Sequence, residues 1–110
     1  MFQVPWWRTS FGDEEVERLR EAVSQEHINQ GPVTAEFEAR FAEALDVPHA
    51  VATTSGSTAL LLSLMALGIG RGDEVILPNR TWIACAHAAL MTGAKVKLVD
   101  VRPDFQAIDV

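Results

Sequence analysis

The run Ala50-Val51-Ala52-Thr53-Thr54-Ser55-Gly56-Ser57-Thr58-Ala59-Leu60-Leu61-Leu62-Ser63-Leu64-Met65-Ala66-Leu67 decides the fold class. Its first five residues, 50–54, are short, apolar and partly β-branched, which predicts a buried strand. Residues 57–67 carry apolar side chains on every helical face, which predicts a buried helix. Between them lie Ser55-Gly56-Ser57-Thr58-Ala59. Small residues at a helix start leave the first N–H groups uncovered, and those groups have no partner within the helix. A phosphate or carboxylate placed there would receive several hydrogen bonds and the positive end of the helix dipole. An ordinary Ser/Thr N-cap is the other use of the same residues. Local sequence allows both.

Downstream, the same alternation repeats. Short apolar runs at 74–78 and 96–101 predict strands, and the stretch 80–92, closed by Gly93, predicts a helix. Strands alternating with helices of this length form βαβ units around a parallel sheet. Their near-continuous apolar character implies that both sheet faces are covered. Gly68-Ile69-Gly70-Arg71-Gly72-Asp73 superficially resembles a dinucleotide fingerprint. That motif follows a strand and opens a helix. Here the glycines close a helix and precede a strand, so they are predicted to form a turn.

Upstream, residues 1–9 form an apolar arm without periodicity. Ser10-Phe11-Gly12-Asp13 resembles a capping box before a helix over 12–25, with Val16, Leu19, Ala22 and Val23 on one stripe. Gly31-Pro32 ends that segment. A second amphipathic helix is predicted over 33–45, with Val33, Phe37, Phe41, Ala44 and Leu45 on one side and Glu36 and Arg40 paired at i, i+4 on its surface. The chain thus divides at the change of pattern, into an arm with two helices over 1–48 and an α/β part over 49–110. Three parallel strands make a thin sheet, so 49–110 is expected to be the first part of a larger α/β domain.

The 110 residues carry a formal charge of −6 and are 48% hydrophobic. That charge argues against nonspecific nucleic-acid binding and against an anionic membrane surface as partner. The amino terminus has no basic start, and the apolar run around 59–69 is too short to span a bilayer. A single cysteine, Cys85, offers neither a disulfide framework nor a zinc quartet, and no metal site is expected. Together these features point to a cytoplasmic protein.

Several residues stand out individually. Trp82 follows Pro78-Asn79-Arg80-Thr81 at a predicted strand end, where ligands bind in open parallel sheets. It is either a core residue or a flat aromatic surface sharing a crevice with Ser55–Thr58, an arrangement suited to a phosphorylated aromatic ring. His87, with no second ligand at i±4, reads as an ordinary helix residue, and Cys85 as a small buried one. Lys95 and Lys97 alternate along a strand and read as solubilising edge residues. Trp6 and Trp7 suit either a core seal or a subunit interface.

In combination, Ile28-Asn29-Gln30-Gly31-Pro32 with Phe37-Glu38, Ser55-Gly56-Ser57-Thr58-Ala59-Leu60, Ala66-Leu67-Gly68-Ile69-Gly70, Gly72-Asp73-Glu74-Val75-Ile76-Leu77-Pro78, Thr81-Trp82-Ile83-Ala84, Gly93-Ala94 and Val99-Asp100-Val101 resemble the DegT/DnrJ/StrS family of sugar aminotransferases. The resemblance runs in order over essentially the whole chain. It implies the three-layer, parallel-sheet large domain of a fold-type-I transferase dependent on pyridoxal 5'-phosphate (PLP), present in part. It also implies a homodimer that moves an amino group from a glutamate-type donor to a keto carbon of a nucleotide-linked sugar, in amino-sugar and polysaccharide biosynthesis. By the same resemblance, Gly56 and Ser57 hold the cofactor phosphate and Trp82 stacks on its ring. The family's usual Thr is Ser at position 57, which keeps the amide and a hydroxyl. His27, Asn29 and Trp6 fall at substrate-facing positions. The family's Schiff-base lysine and the acid that pairs with the ring nitrogen lie downstream of Val110. The chain is therefore expected to be an amino-terminal portion, with no catalytic residue of its own. A small α/β module binding a phosphorylated metabolite, a PLP-dependent sugar dehydratase and a regulatory homologue are the alternatives.

Overall fold

The computed structural model describes residues 7–105 and 107–109. The chain forms two compact units, Met1–Val51 and Ala52–Val110. The first holds helices α1 (Asp13–Ser24) and α2 (Pro32–Ala44). The second runs α3 (Gly56–Ala66), β1 (Glu74–Pro78), α4 (Ile83–Thr92) and β2 (Lys95–Val99).

In the first unit, Asp13, Glu14 and Glu15 crowd the first turn of α1, where the helix dipole favours negative charge. The expected cap at Ser10 is not used. Gly12 is the N-cap residue and has no side chain to offer, so half of a capping box forms: its N–H donates to Glu15 Oε2 at 2.6 Å. That bond holds the Glu15 carboxyl below its ordinary pKa. On α2, Pro32 occupies the first turn, where its missing N–H costs nothing. Arg40 pairs with Glu36 at 2.7 Å across one turn, and the Phe37 and Phe41 rings stand 5.6 Å apart. Ala42 alone is buried on α2, and no described residue of α1 is.

Helices α1, α2 and α3 stop in the same way. The residue after the C-cap turns into the left-handed region, and the N–H of the next residue reaches back to the last turn of the helix. Glu26, Asp46 and Gly68 take the positive φ, at 59°, 53° and 73°. His27, Val47 and Ile69 then donate to the carbonyls of Ala22, Ala42 and Leu64 at 2.8, 3.0 and 3.0 Å.

In the second unit, β1 and β2 pair in parallel from Glu74↔Lys95 to Pro78↔Val99, with α4 as the crossover. The Gly70–Asp73 turn delivers the chain into β1, closed by Gly70 N–H to Asp73 Oδ2 at 2.8 Å and Asp73 N–H to the Gly70 carbonyl at 3.0 Å. The glycine run is thus the turn its position implies. Ala84, Ala88, Ala89 and Ala94 form the buried centre of this unit. Helix α4 touches α3, β1 and β2, and its alanines let these elements approach closely.

Four expectations change. Residues 50–53 are irregular chain and not a strand, and the described sheet has two strands. A β-branched, apolar composition fits a pleated surface but does not supply a neighbouring ladder. Helix α3 is not buried: it packs chiefly on α4, and Leu60, Leu62 and Met65 remain exposed. Helix α4 begins at Ile83 and not at 80, because Asn79 extends the sheet ladder, donating its N–H to the Val99 carbonyl at 2.8 Å. The last strand ends at Val99, and the chain then reverses through an isolated antiparallel bridge, Val101↔Ile108.

Candidate functional site: the start of α3 and the aromatic cap of α4

Ser55 is the N-cap of α3, in extended conformation, and its Oγ accepts the Thr58 N–H at 3.2 Å. The Thr58 hydroxyl lies 3.0 Å from Ser55 Oγ and 3.4 Å from Thr54 Oγ1. Thr53 Oγ1 donates to the Ser55 carbonyl at 3.0 Å, and that carbonyl also accepts the Ala59 N–H. These bonds fix the turn from both sides. They leave the N–H groups of Gly56 and Ser57 without a hydrogen-bond partner among the described residues.

The cap and the anion site are therefore compatible. Capping consumes the third N–H of the helix, and the first two stay open. No acidic residue stands in the first turn of α3, in contrast to the three at the start of α1. A Cβ built on Gly56 would meet nothing within 4 Å, so the space beside these donors is open. Two aligned N–H groups, the Ser57 hydroxyl and the helix dipole suit a phosphate group.

Trp82 is the N-cap residue of α4, shortly past the carboxyl end of β1. It is 78% exposed, which removes the core reading. A core tryptophan would be covered by its neighbours, whereas most of Trp82 is open to solvent. Behind it, Thr81 Oγ1 lies 3.6 Å from Cys85 Sγ. Cys85 is half-buried, not fully buried as its size implies, and His87 is an exposed helix residue. Gly56, Ser57 and Trp82 belong to the same compact unit, on two helices that pack together.

His27 and Asn29 belong to the other unit. His27 is half-buried, with Nδ1 enclosed and without a hydrogen-bond partner among the described residues. It lines an open cleft of about 410 Å³ with Arg18, Gln25, Val33, Phe37 and Arg40. Asn29 lies exposed in the bend before α2. Trp6 falls outside the described residues, and Trp7 is exposed and seals no core. Among the described residues no three His, Cys, Asp or Glu side chains gather as metal ligands, and no helix is long and apolar enough to cross a membrane.

Sequence reasoning missed one pair near Trp82. Asn79 Nδ2 donates to Asp100 Oδ1 at 3.3 Å, joining the ends of β1 and β2. The available signal was that each polar residue directly follows an apolar strand.

Comparison with known proteins gives this geometry a context. A protein of Streptococcus pneumoniae described as a sugar aminotransferase, solved in a PMP form, superposes with a TM-score of 0.90 at 30% identity, over 98% of this chain and 27% of that one. DesV of S. venezuelae is 38% identical, with a TM-score of 0.75 over 88% of this chain and 27% of its own. The E. coli GDP-4-keto-6-deoxy-D-mannose-3-dehydratase, solved with hydrated PLP, gives 0.89 at 28% identity over 99% of this chain and 30% of its own. The chain thus spans somewhat more than a quarter of the length of these relatives. Residues 9–110 match the DegT/DnrJ/EryC1/StrS aminotransferase family, and the chain belongs to that family.

Proposed function

We propose that this chain provides the cofactor-phosphate and ring-face portion of a PLP-dependent aminotransferase acting on a keto sugar, carried on a nucleotide, with a glutamate-type amino donor. The observation that carries this reading is the pair of open N–H groups at Gly56 and Ser57, in the same unit as an exposed Trp82. The residues fit the group: the two donors have no partner among the described residues, and a Cβ added at Gly56 meets no described residue beyond its chain neighbours within 4 Å. In this reading Gly56 and Ser57 hydrogen-bond the phosphate, the Ser57 hydroxyl adds a donor, and the Trp82 face covers the ring. Ser55 and Thr58 hold the turn in place so that the donors are preorganised before the ligand arrives. When bound, the cofactor supplies an electron-withdrawing ring able to carry an amino group between donor and acceptor. The two lysines of the sequence, Lys95 and Lys97, lie on β2, and neither is given the covalent role. His27, Asn29 and Trp6 are assigned to the sugar side. A cytoplasmic homodimer, with 1–48 as arm and helices and 49–110 as part of the cofactor domain, completes the proposal.

The test compares PLP with pyridoxal by Trp82 fluorescence in a Trp6→Phe, Trp7→Phe background. Tighter binding of the phosphorylated form, lost in Ser57→Pro, supports the reading. Equal binding of the two forms overturns it. The likeness to the E. coli dehydratase over 99% of the chain supports a second reading, loss of water at a sugar carbon. Product analysis separates the two, because transfer leaves nitrogen on the sugar and dehydration removes oxygen without adding nitrogen.

A further inference from the structure

Trp82 is an exposed residue on an irregular segment, yet stacking on a ring requires a defined orientation. The Trp82 cap makes no side-chain cap bond; its carbonyl accepts the Cys85 N–H at 3.1 Å and the Thr81 hydroxyl lies 3.6 Å from Cys85 Sγ, which tie this segment to α4 alone. A second constraint comes from across the sheet. The Asn79 N–H bonds to the Val99 carbonyl at 2.8 Å, extending the β1–β2 ladder one residue past Pro78. Its side chain then bonds to Asp100 Oδ1 at 3.3 Å, across 21 positions of sequence. The same oxygen accepts the Val101 N–H at 2.8 Å, which fixes the carboxylate in turn. Asn79 is thereby held through both backbone and side chain, and only Arg80 and Thr81 separate it from Trp82.

We propose that Asp100 and Asn79 are positioning residues for Trp82: the clasp anchors the segment 79–82 to the end of β2 and sets the indole plane against the ring of the ligand. The consequence for binding rests on the PLP reading above, while the consequence for the indole does not. Asp100 acts through Asn79 and touches no ligand. Asparagine at position 100 keeps an acceptor oxygen for both bonds, whereas alanine keeps neither.

The experiment uses the full chain with Trp82 as its one tryptophan, in the Trp6→Phe, Trp7→Phe background. Asp100→Ala and Asn79→Ala are expected to lower Trp82 fluorescence anisotropy and to move its indole N–H resonance, with Asp100→Asn close to the parent. Folding is checked by far-ultraviolet circular dichroism. A nearby control, Asp109→Ala, removes an acidic side chain outside the clasp and is expected to leave the indole signals in place. For PLP, the alanine variants are expected to bind about two- to tenfold more weakly, the range of one aromatic stacking contact, while inorganic phosphate binding is unchanged. An unmoved indole resonance and anisotropy in both folded alanine variants overturn the proposal. If the parent binds no PLP, the functional reading fails, and the indole measurements still decide the clasp.

Discussion

Helices α3 and α4 are both largely apolar, yet the structure treats them differently. In α4, Ala84, Ala88 and Ala89 are buried, Ala89 completely. In α3 no residue is buried, and Met65 is 60% exposed. The difference lies in side-chain size and in neighbours. Alanines let α4 lie close to α3 and to both strands at once, so its backbone becomes the centre of the unit. The leucines of α3 meet α4 on one side. Apolar composition shows that a helix seeks burial, but it does not say which helix occupies the middle. The division extends to the helix starts: α4 opens behind an exposed tryptophan, and α3 opens with two donors that have no partner among the described residues.

The contrast is broken most directly at its buried centre. Ala89→Leu adds volume where no space exists and is expected to cost about 1–3 kcal/mol, whereas Leu62→Ala on α3 removes a side chain that is 44% exposed and is expected to cost about 1 kcal/mol. Urea unfolding of both variants measures the gap, and equal losses would dissolve the distinction. Next in size is Gly93→Ala at the end of α4. Gly93 has φ 86°, and a Cβ there would lie 3.0 Å from Arg71 Cγ. A left-handed alanine is expected to cost about 1–2 kcal/mol, read as a lower unfolding midpoint.

Gly56→Ala sharpens the comparison by separating stability from binding. The added methyl meets no described residue beyond its chain neighbours within 4 Å, so stability is expected to hold or rise by less than about 1 kcal/mol. Phosphate binding is expected to weaken, because that methyl occupies the space beside the open donors. The smallest effect belongs to α1, whose start is filled by its own acids and serves as the opposite case to α3. The Glu15 carboxyl is held below its ordinary pKa by the Gly12 N–H. Its contribution is therefore complete above the ordinary carboxylate range and is lost as pH falls through the lowered value. Carboxyl chemical shifts recorded against pH should show Glu15 titrating below the ordinary glutamate value, and Glu15→Gln should remove this contribution to the pH dependence of α1 helicity.

Much of this is legible in the residues. The β1 run Glu74–Pro78 coincides with the predicted strand, because a short apolar segment between a glycine turn and a proline has few other conformations available. The αβ order and the parallel sheet follow from alternating periodicity. The turn at Ser55–Thr58 is legible as a pair of competing uses, and local sequence does not reveal that the cap takes the Thr58 N–H. The start of α4 is not legible, because it depends on Asn79 reaching Val99 and Asp100, a pairing set by sheet register and not by local propensity. The strand expected at 50–54 fails for the complementary reason, since sequence shows what a segment is suited to and not whether a neighbour is beside it.

The shared helix ending carries a consequence for engineering. Where α3 uses glycine for its left-handed residue, α1 and α2 use Glu26 and Asp46. A non-glycine residue in that conformation costs about 1 kcal/mol, so the first unit holds a reserve of unclaimed stability at two solvent-facing positions. A designer seeking a sturdier version of this chain need not touch its alanine centre or its open helix start. Two surface glycines would suffice, and they would also remove two negative charges from a strongly acidic molecule.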